Sequence, residues 1–80
     1  GNLLEWVDSP KISDPARIQE YRVYRKKAAE DPAAFRLLSA VSGQRYFFDT
    51  DIQPGLTYTY AVATVIAEDI QGPCTQPLIR

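Results

Sequence analysis

The sequence predicts an all-β protein, an antiparallel sandwich of two sheets. Three observations carry this: two-residue alternation over 58–65, the same alternation over 20–26 and 3–7, and turn chemistry between the alternating stretches. With 80 residues the chain is one domain, spanning 1–80. A chain this short buries only about 60% of its unfolded surface, so its core has to be efficient.

Residues 3–7, Leu-Leu-Glu-Trp-Val, place Leu4 and Trp6 on one face of a strand and Glu5 on the other. Residues 8–16 hold two prolines, two aspartates and two serines, which is loop composition. The next stretch fits two readings. Ser13-Asp14-Pro15 has the form of a helix start, after which Ile18, Tyr21 and Ala28 would line a helical face. As a strand, 20–26 puts Tyr21 and Val23 on one side and Arg22 and Tyr24 on the other. Local propensity fits both. The flanking elements favour β, because a lone helix has no place among strands at hairpin spacing.

Residues 45–52 are aromatic and β-rich and run into Pro54-Gly55, suited to the central positions of a type II turn. Tyr58, Tyr60 and Val62 then alternate on one face of the strand 58–65. Residues 68–73 read as a turn. Residues 74–80 read as a final edge strand, with Pro77 keeping it off the sheet centre.

Composition excludes several function classes. Nine Lys and Arg stand against ten Asp and Glu, net charge −1, with both signs scattered, so no nucleic-acid footprint is present. The densest cationic stretch, 21–27, holds four cations and reads as a solvated strand end. No apolar run approaches the ~20 residues of a membrane helix, so no transmembrane segment is expected. There is no histidine, which removes His-based triads and metal sites. Cys74, the single cysteine, cannot form an internal disulfide and reads as a small, partly buried apolar residue. Asp49 and Asp51 lack the glycine and closing glutamate of a calcium loop and read as strand-end aspartates. The four glycines are dispersed, and no phosphate loop exists. No catalytic, cofactor or metal residue is therefore assigned, and the protein is expected not to be an enzyme.

Taken together, the elements resemble a fibronectin type III domain, with an immunoglobulin-like sandwich topology. The resemblance runs through Leu4-Glu5-Trp6 as strand B, Tyr21 to Arg25 as C, and Phe35-Arg36-Leu37-Leu38 as C′. It continues through Phe47 to Thr50 as E, and Ile52-Gln53-Pro54-Gly55-Leu56-Thr57-Tyr58 as the entry to F. It departs at the start: only Gly1-Asn2 precede the tryptophan strand, so strand A is missing or truncated and one sheet edge is expected open. The resemblance implies that Tyr58 is the tyrosine corner, its hydroxyl bonding backbone upstream with Ile52 as the acceptor. Trp6 is by the same pattern a plug between the sheets.

The predicted core is Trp6, Tyr21, Val23, Phe47, Ile52, Tyr58, Tyr60 and Val62. The two-residue period then sends Arg22, Tyr24 and Lys26 outward, with Thr59, Ala61, Ala63 and Val65 beside them. This outer C′–C–F–G face, or the loop Glu68–Pro73, is the expected docking surface. The integrin-type R-G-D and receptor-type W-S-x-W-S motifs are absent, as are glycosylation sequons.

The resemblance implies a bacterial-type module, cut from a longer extracellular or cell-envelope protein such as a lipoprotein. It would act as a non-catalytic protein-interaction or spacer unit. The alternative is an accessory domain of a secreted polysaccharide-degrading enzyme. The expected partner is a protein or a neighbouring domain of the same chain, the expected state a monomer, and no cofactor is expected.

Overall fold

A computed structural model describes residues 1–12, 14–67 and 70–80, with the backbone alone at 67, 70, 71 and 73. Seven strands form two antiparallel sheets: β1 (Asn2–Glu5), β2 (Glu20–Lys27), β3 (Arg36–Val41), β4 (Tyr46–Asp49), β5 (Tyr58–Ala67), β6 (Ile70–Thr75) and β7 (Leu78–Ile79). One sheet has the order β4-β1-β7 and the other β3-β2-β5-β6. They pack as a sandwich around Leu4, Trp6, Tyr21, Val23, Tyr58, Tyr60 and Val62. Phe47 and Ile52, both expected in the core, pack against this cluster while only partly buried.

The helix-start signature is real but short. Asp14 accepts a hydrogen bond from the Ala16 N–H, and Pro15 opens a single 3₁₀ turn, Pro15–Arg17. The turn stops because Ile18 is already extended and the Gln19 N–H donates to the Val65 carbonyl at 2.8 Å. Tertiary pairing therefore claims the segment for β2, which lies against β5 along its whole length, Glu20↔Val65 to Lys27↔Tyr58. A second 3₁₀ turn, Pro32–Ala34 capped by Asp31, lies in the β2–β3 connection.

Several expected boundaries move. β1 ends at Glu5, so Trp6 inserts from just beyond the strand. The expected turn over 68–73 is shorter, because β6 begins at Ile70; Glu68 and Asp69 lie outside the described residues. Residues 74–80 are not one strand. Thr75 ends β6 in the larger sheet, Pro77 is buried, and Leu78–Ile79 pair with Glu5 and Leu4 in the smaller one. That pairing occupies the β1 edge expected to be open, and Arg80 extends it by donating its N–H to the Leu3 carbonyl.

Pro54-Gly55 makes the expected turn: Gly55 sits at φ +82°, and the Leu56 N–H closes on the Gln53 carbonyl. The Tyr58 hydroxyl does bond to backbone upstream, but as an acceptor from the Gln53 N–H at 3.0 Å, not as a donor to Ile52. The turn carries that N–H away from any ladder, and the phenol oxygen satisfies it. Tyr58→Phe is expected to cost about 1–3 kcal/mol by orphaning this donor. Denaturant unfolding of the two proteins measures it, and a neutral substitution would remove the corner's structural role.

Candidate functional site

The outer face of the larger sheet carries the residues expected to dock a partner. Cross-strand pairs put Arg22 beside Ala63, Tyr24 beside Ala61 and Lys26 beside Thr59, so all share that face as the alternation requires. Their exposure differs from expectation. Ala63 is wholly buried and Val65 is only 2% exposed. The Arg22 Nε donates to Glu20 Oε2 at 3.0 Å, and these two side chains stand at the positions paired with Ala63 and Val65.

Lys26 is engaged as well: its Nζ donates to the carbonyls of Lys27, Ala28 and Glu30 and lies 5.6 Å from the Phe35 ring centroid. Arg22, Tyr24, Lys26 and Ala61 are half-buried. Cys74, paired with Ala63 on this face, is exposed, contrary to the partly buried position expected, because β6 lies at the sheet edge. The expected alternative, the loop Glu68–Pro73, falls partly outside the described residues.

The smaller sheet presents a more apolar outer face. Leu4 points inward, so Leu3 and Glu5 point out, and the register sets Leu3 beside Phe48 and Glu5 between Tyr46 and Leu78. Tyr46, Phe48 and Leu78 are 54%, 53% and 57% exposed. Across them lies an ion pair, Arg80 Nε to Glu5 Oε1 at 2.8 Å. The signal for this face was present in the sequence. Leu3-Leu4 and Tyr46-Phe47-Phe48 are apolar at consecutive positions, so strict alternation fails and both faces of these strands are apolar.

The third feature is a buried carboxylate. Asp49, 2% exposed, accepts from Arg25 NH1 at 2.9 Å, from the Tyr60 hydroxyl at 2.6 Å and from the Asp51 N–H at 3.2 Å. Asn2 Nδ2 donates to the Tyr60 oxygen, and Arg25 also donates to the Asp51 carbonyl and lies over the Tyr58 ring. The Asp51 carboxylate is itself exposed, with its Oδ2 4.0 Å from Arg25 NH2. Every acceptor position of Asp49 faces a donor of its own chain, which is the pattern of a structural charge pair. Among the described residues no group of His, Cys, Asp and Glu is arranged to hold a metal, and no helix is long and apolar enough to cross a membrane.

Burial raises the Asp49 carboxyl, but the bonds from Tyr60 and Arg25 together hold it below the ordinary 3.8. Asp8 is likewise lowered, first by its hydrogen bond from Arg45 and then by that from Tyr21. Burial and then the Asp49 bond push Tyr60 up to about 12. The unfolded chain thus takes up the carboxyl protons first, so the stability these groups confer is intact above pH 3.8 and lost as pH falls through their folded values. For Tyr60 the contribution is intact below the ordinary 10 and lost as pH rises towards about 12. Thermal midpoints across both limbs check this. Asp49→Asn should flatten the acid limb, and Tyr60→Phe the alkaline one.

No known family, curated protein or solved structure matches this chain.

Proposed function

We propose that the protein is a non-catalytic interaction module of the fibronectin type III kind, which docks a protein partner or a neighbouring domain through the outer face of its smaller sheet. In that reading β1, β2, β3, β4, β5 and β6 correspond to strands B, C, C′, E, F and G. The sheet memberships support it, and β7 takes the place beside B where strand A would lie. A larger extracellular or envelope protein is the setting the resemblance implies.

The observation that carries the choice of face is the pair of neighbouring rows: Leu3 with Phe48, and Tyr46 with Leu78 across Glu5. Large, half-exposed apolar side chains grouped on one sheet face make a patch of the kind that marks an interface. On the larger sheet, by contrast, the outward apolar residues Ala63 and Val65 are already buried.

The test is chemical-shift mapping of the domain against the neighbouring domains that this reading requires in the full-length gene. Perturbations at residues 3, 46, 48 and 78, weakened about tenfold or more by Tyr46→Ser with Phe48→Ser, are expected. Perturbations confined to Arg22, Tyr24 and Ala61 would move the docking surface to the other sheet. Shifts of Tyr46 and Phe48 on addition of a soluble plant polysaccharide alone would favour the accessory domain of a polysaccharide-degrading enzyme.

A further inference from the structure

The larger sheet ends in an edge strand with neither a proline nor a central charge. β3 is terminal in the order β3-β2-β5-β6. Its sequence, Arg-Leu-Leu-Ser-Ala-Val, contains no proline, and its single charge lies at its first residue. Of the other terminal strands, β6 carries Gly72-Pro73, β4 has four residues and β7 two; β3, like β6, breaks in register, which leaves Leu38 without a partner on β2. A six-residue edge without proline or central charge is a template for another strand.

The start of that edge opens on a cavity of about 310 Å³ between the β2–β3 connection and the β4–β5 corner. Arg25 and Arg36 line it as directly paired residues of β2 and β3, and Lys27 lines it two residues further along β2. Like charges directly opposite each other on paired strands are unfavourable unless an anion compensates them. Arg25 has its anion in Asp49. Among the described residues no carboxylate pairs with Arg36 or with the Lys27 ammonium. Glu30, the nearest in sequence, turns one oxygen to the Lys27 backbone N–H.

We propose that the β3 edge binds an extended acidic peptide segment by strand addition, with a carboxylate opposite Arg36 reaching into the cavity towards Lys27. Main-chain hydrogen bonds to the edge supply affinity, and the uncompensated cations select the charge. The side chain paired with Arg36 on an added strand would share its face, about 5 Å away between Cβ atoms. A peptide fits better than an acidic saccharide. The remaining walls are Ala34, Leu37 and Leu38 beside the polar Lys26, Glu30, Asp51 and Gln53, and the aromatic ring of Tyr58 is covered by the Arg25 guanidinium at 4.8 Å, leaving a sugar no ring to stack on. This site lies in the opposite sheet from the aromatic face, so it stands or falls independently of the function proposed above.

The test titrates the protein with an extended peptide of alternating valine and glutamate while following backbone amide shifts. The expected result is perturbation of residues 36–41, weakened about tenfold by Arg36→Glu or Lys27→Glu and weakened by added salt. The same peptide N-methylated at every residue, which has no N–H to offer from either edge, is expected not to bind. The valine–lysine counterpart is expected not to bind either. Equal binding of the N-methylated or lysine peptide would overturn the proposal, as would shifts that leave residues 36–41 unmoved. Stronger perturbation by oligogalacturonate than by the glutamate peptide would overturn the choice of a peptide.

Discussion

Alanine at Asp49 is expected to destabilise the fold by about 3–5 kcal/mol, because removing one partner of a buried pair leaves the other charge uncompensated. The carboxylate is 2% exposed, whereas the Arg25 side chain keeps 21% of its surface in water. Partial access lets Arg25 rotate outward and places the cost towards the lower end of that range. Two further groups lose their acceptor with it, the Tyr60 hydroxyl and the Asp51 N–H. Asp49→Asn retains the shape and one acceptor oxygen and should cost less. Urea unfolding of the three proteins measures the series. A loss below about 1 kcal/mol in the alanine variant would show that Arg25 escapes to solvent freely and that the pair behaves like a surface one.

Trp6→Ala is expected to cost about 3–5 kcal/mol, the range for deleting a large buried aromatic. Small domains hold only ~5–15 kcal/mol in total, so this variant should be largely unfolded at ambient temperature. Trp6 packs edge-on to Tyr21, with ring centroids 5.5 Å apart at 64°, and joins the two sheets where β1 has already ended. Its Nε1 is buried without a hydrogen-bond partner among the described residues. Trp6→Phe keeps an aromatic plug and removes that unsatisfied donor, so it should cost a fraction of the alanine change. Far-UV and near-UV circular dichroism against temperature distinguish the three. A phenylalanine variant as damaged as the alanine one would mean that indole volume, not aromatic contact, seals the core.

How legible each part was depends on how local its cause is. Alternation in Tyr21-Arg22-Val23-Tyr24 and in Tyr58-Thr59-Tyr60-Ala61-Val62 is a property of one strand, and both strands form with the expected inward residues. The type II turn at Pro54-Gly55 is local chemistry of the same kind. Ser13-Asp14-Pro15 was legible too, as a start signal. It says nothing of length, and the pairing of Gln19 with Val65 ended the turn after three residues.

The candidate surfaces were less legible, because period-2 reasoning assigns a face but not an exposure. Val65 is on the expected outer face and is nevertheless buried, whereas Tyr46 and Phe48 are exposed.

The sequence by itself determined that the chain is all-β, which residues of β2 and β5 turn inward, and where the tightest turn lies. Each follows from steric and hydrophobic preferences within a few consecutive residues. The tertiary structure alone decided that Leu78–Ile79 leave the larger sheet and cover the β1 edge, that Arg25 meets Asp49, and that the Tyr58 oxygen receives the Gln53 N–H instead of donating to Ile52. These depend on strands brought together from distant parts of the chain. Their partners are set by the combined demand to close sheet edges, neutralise buried charge and satisfy turn backbone, and no short stretch of sequence records that demand.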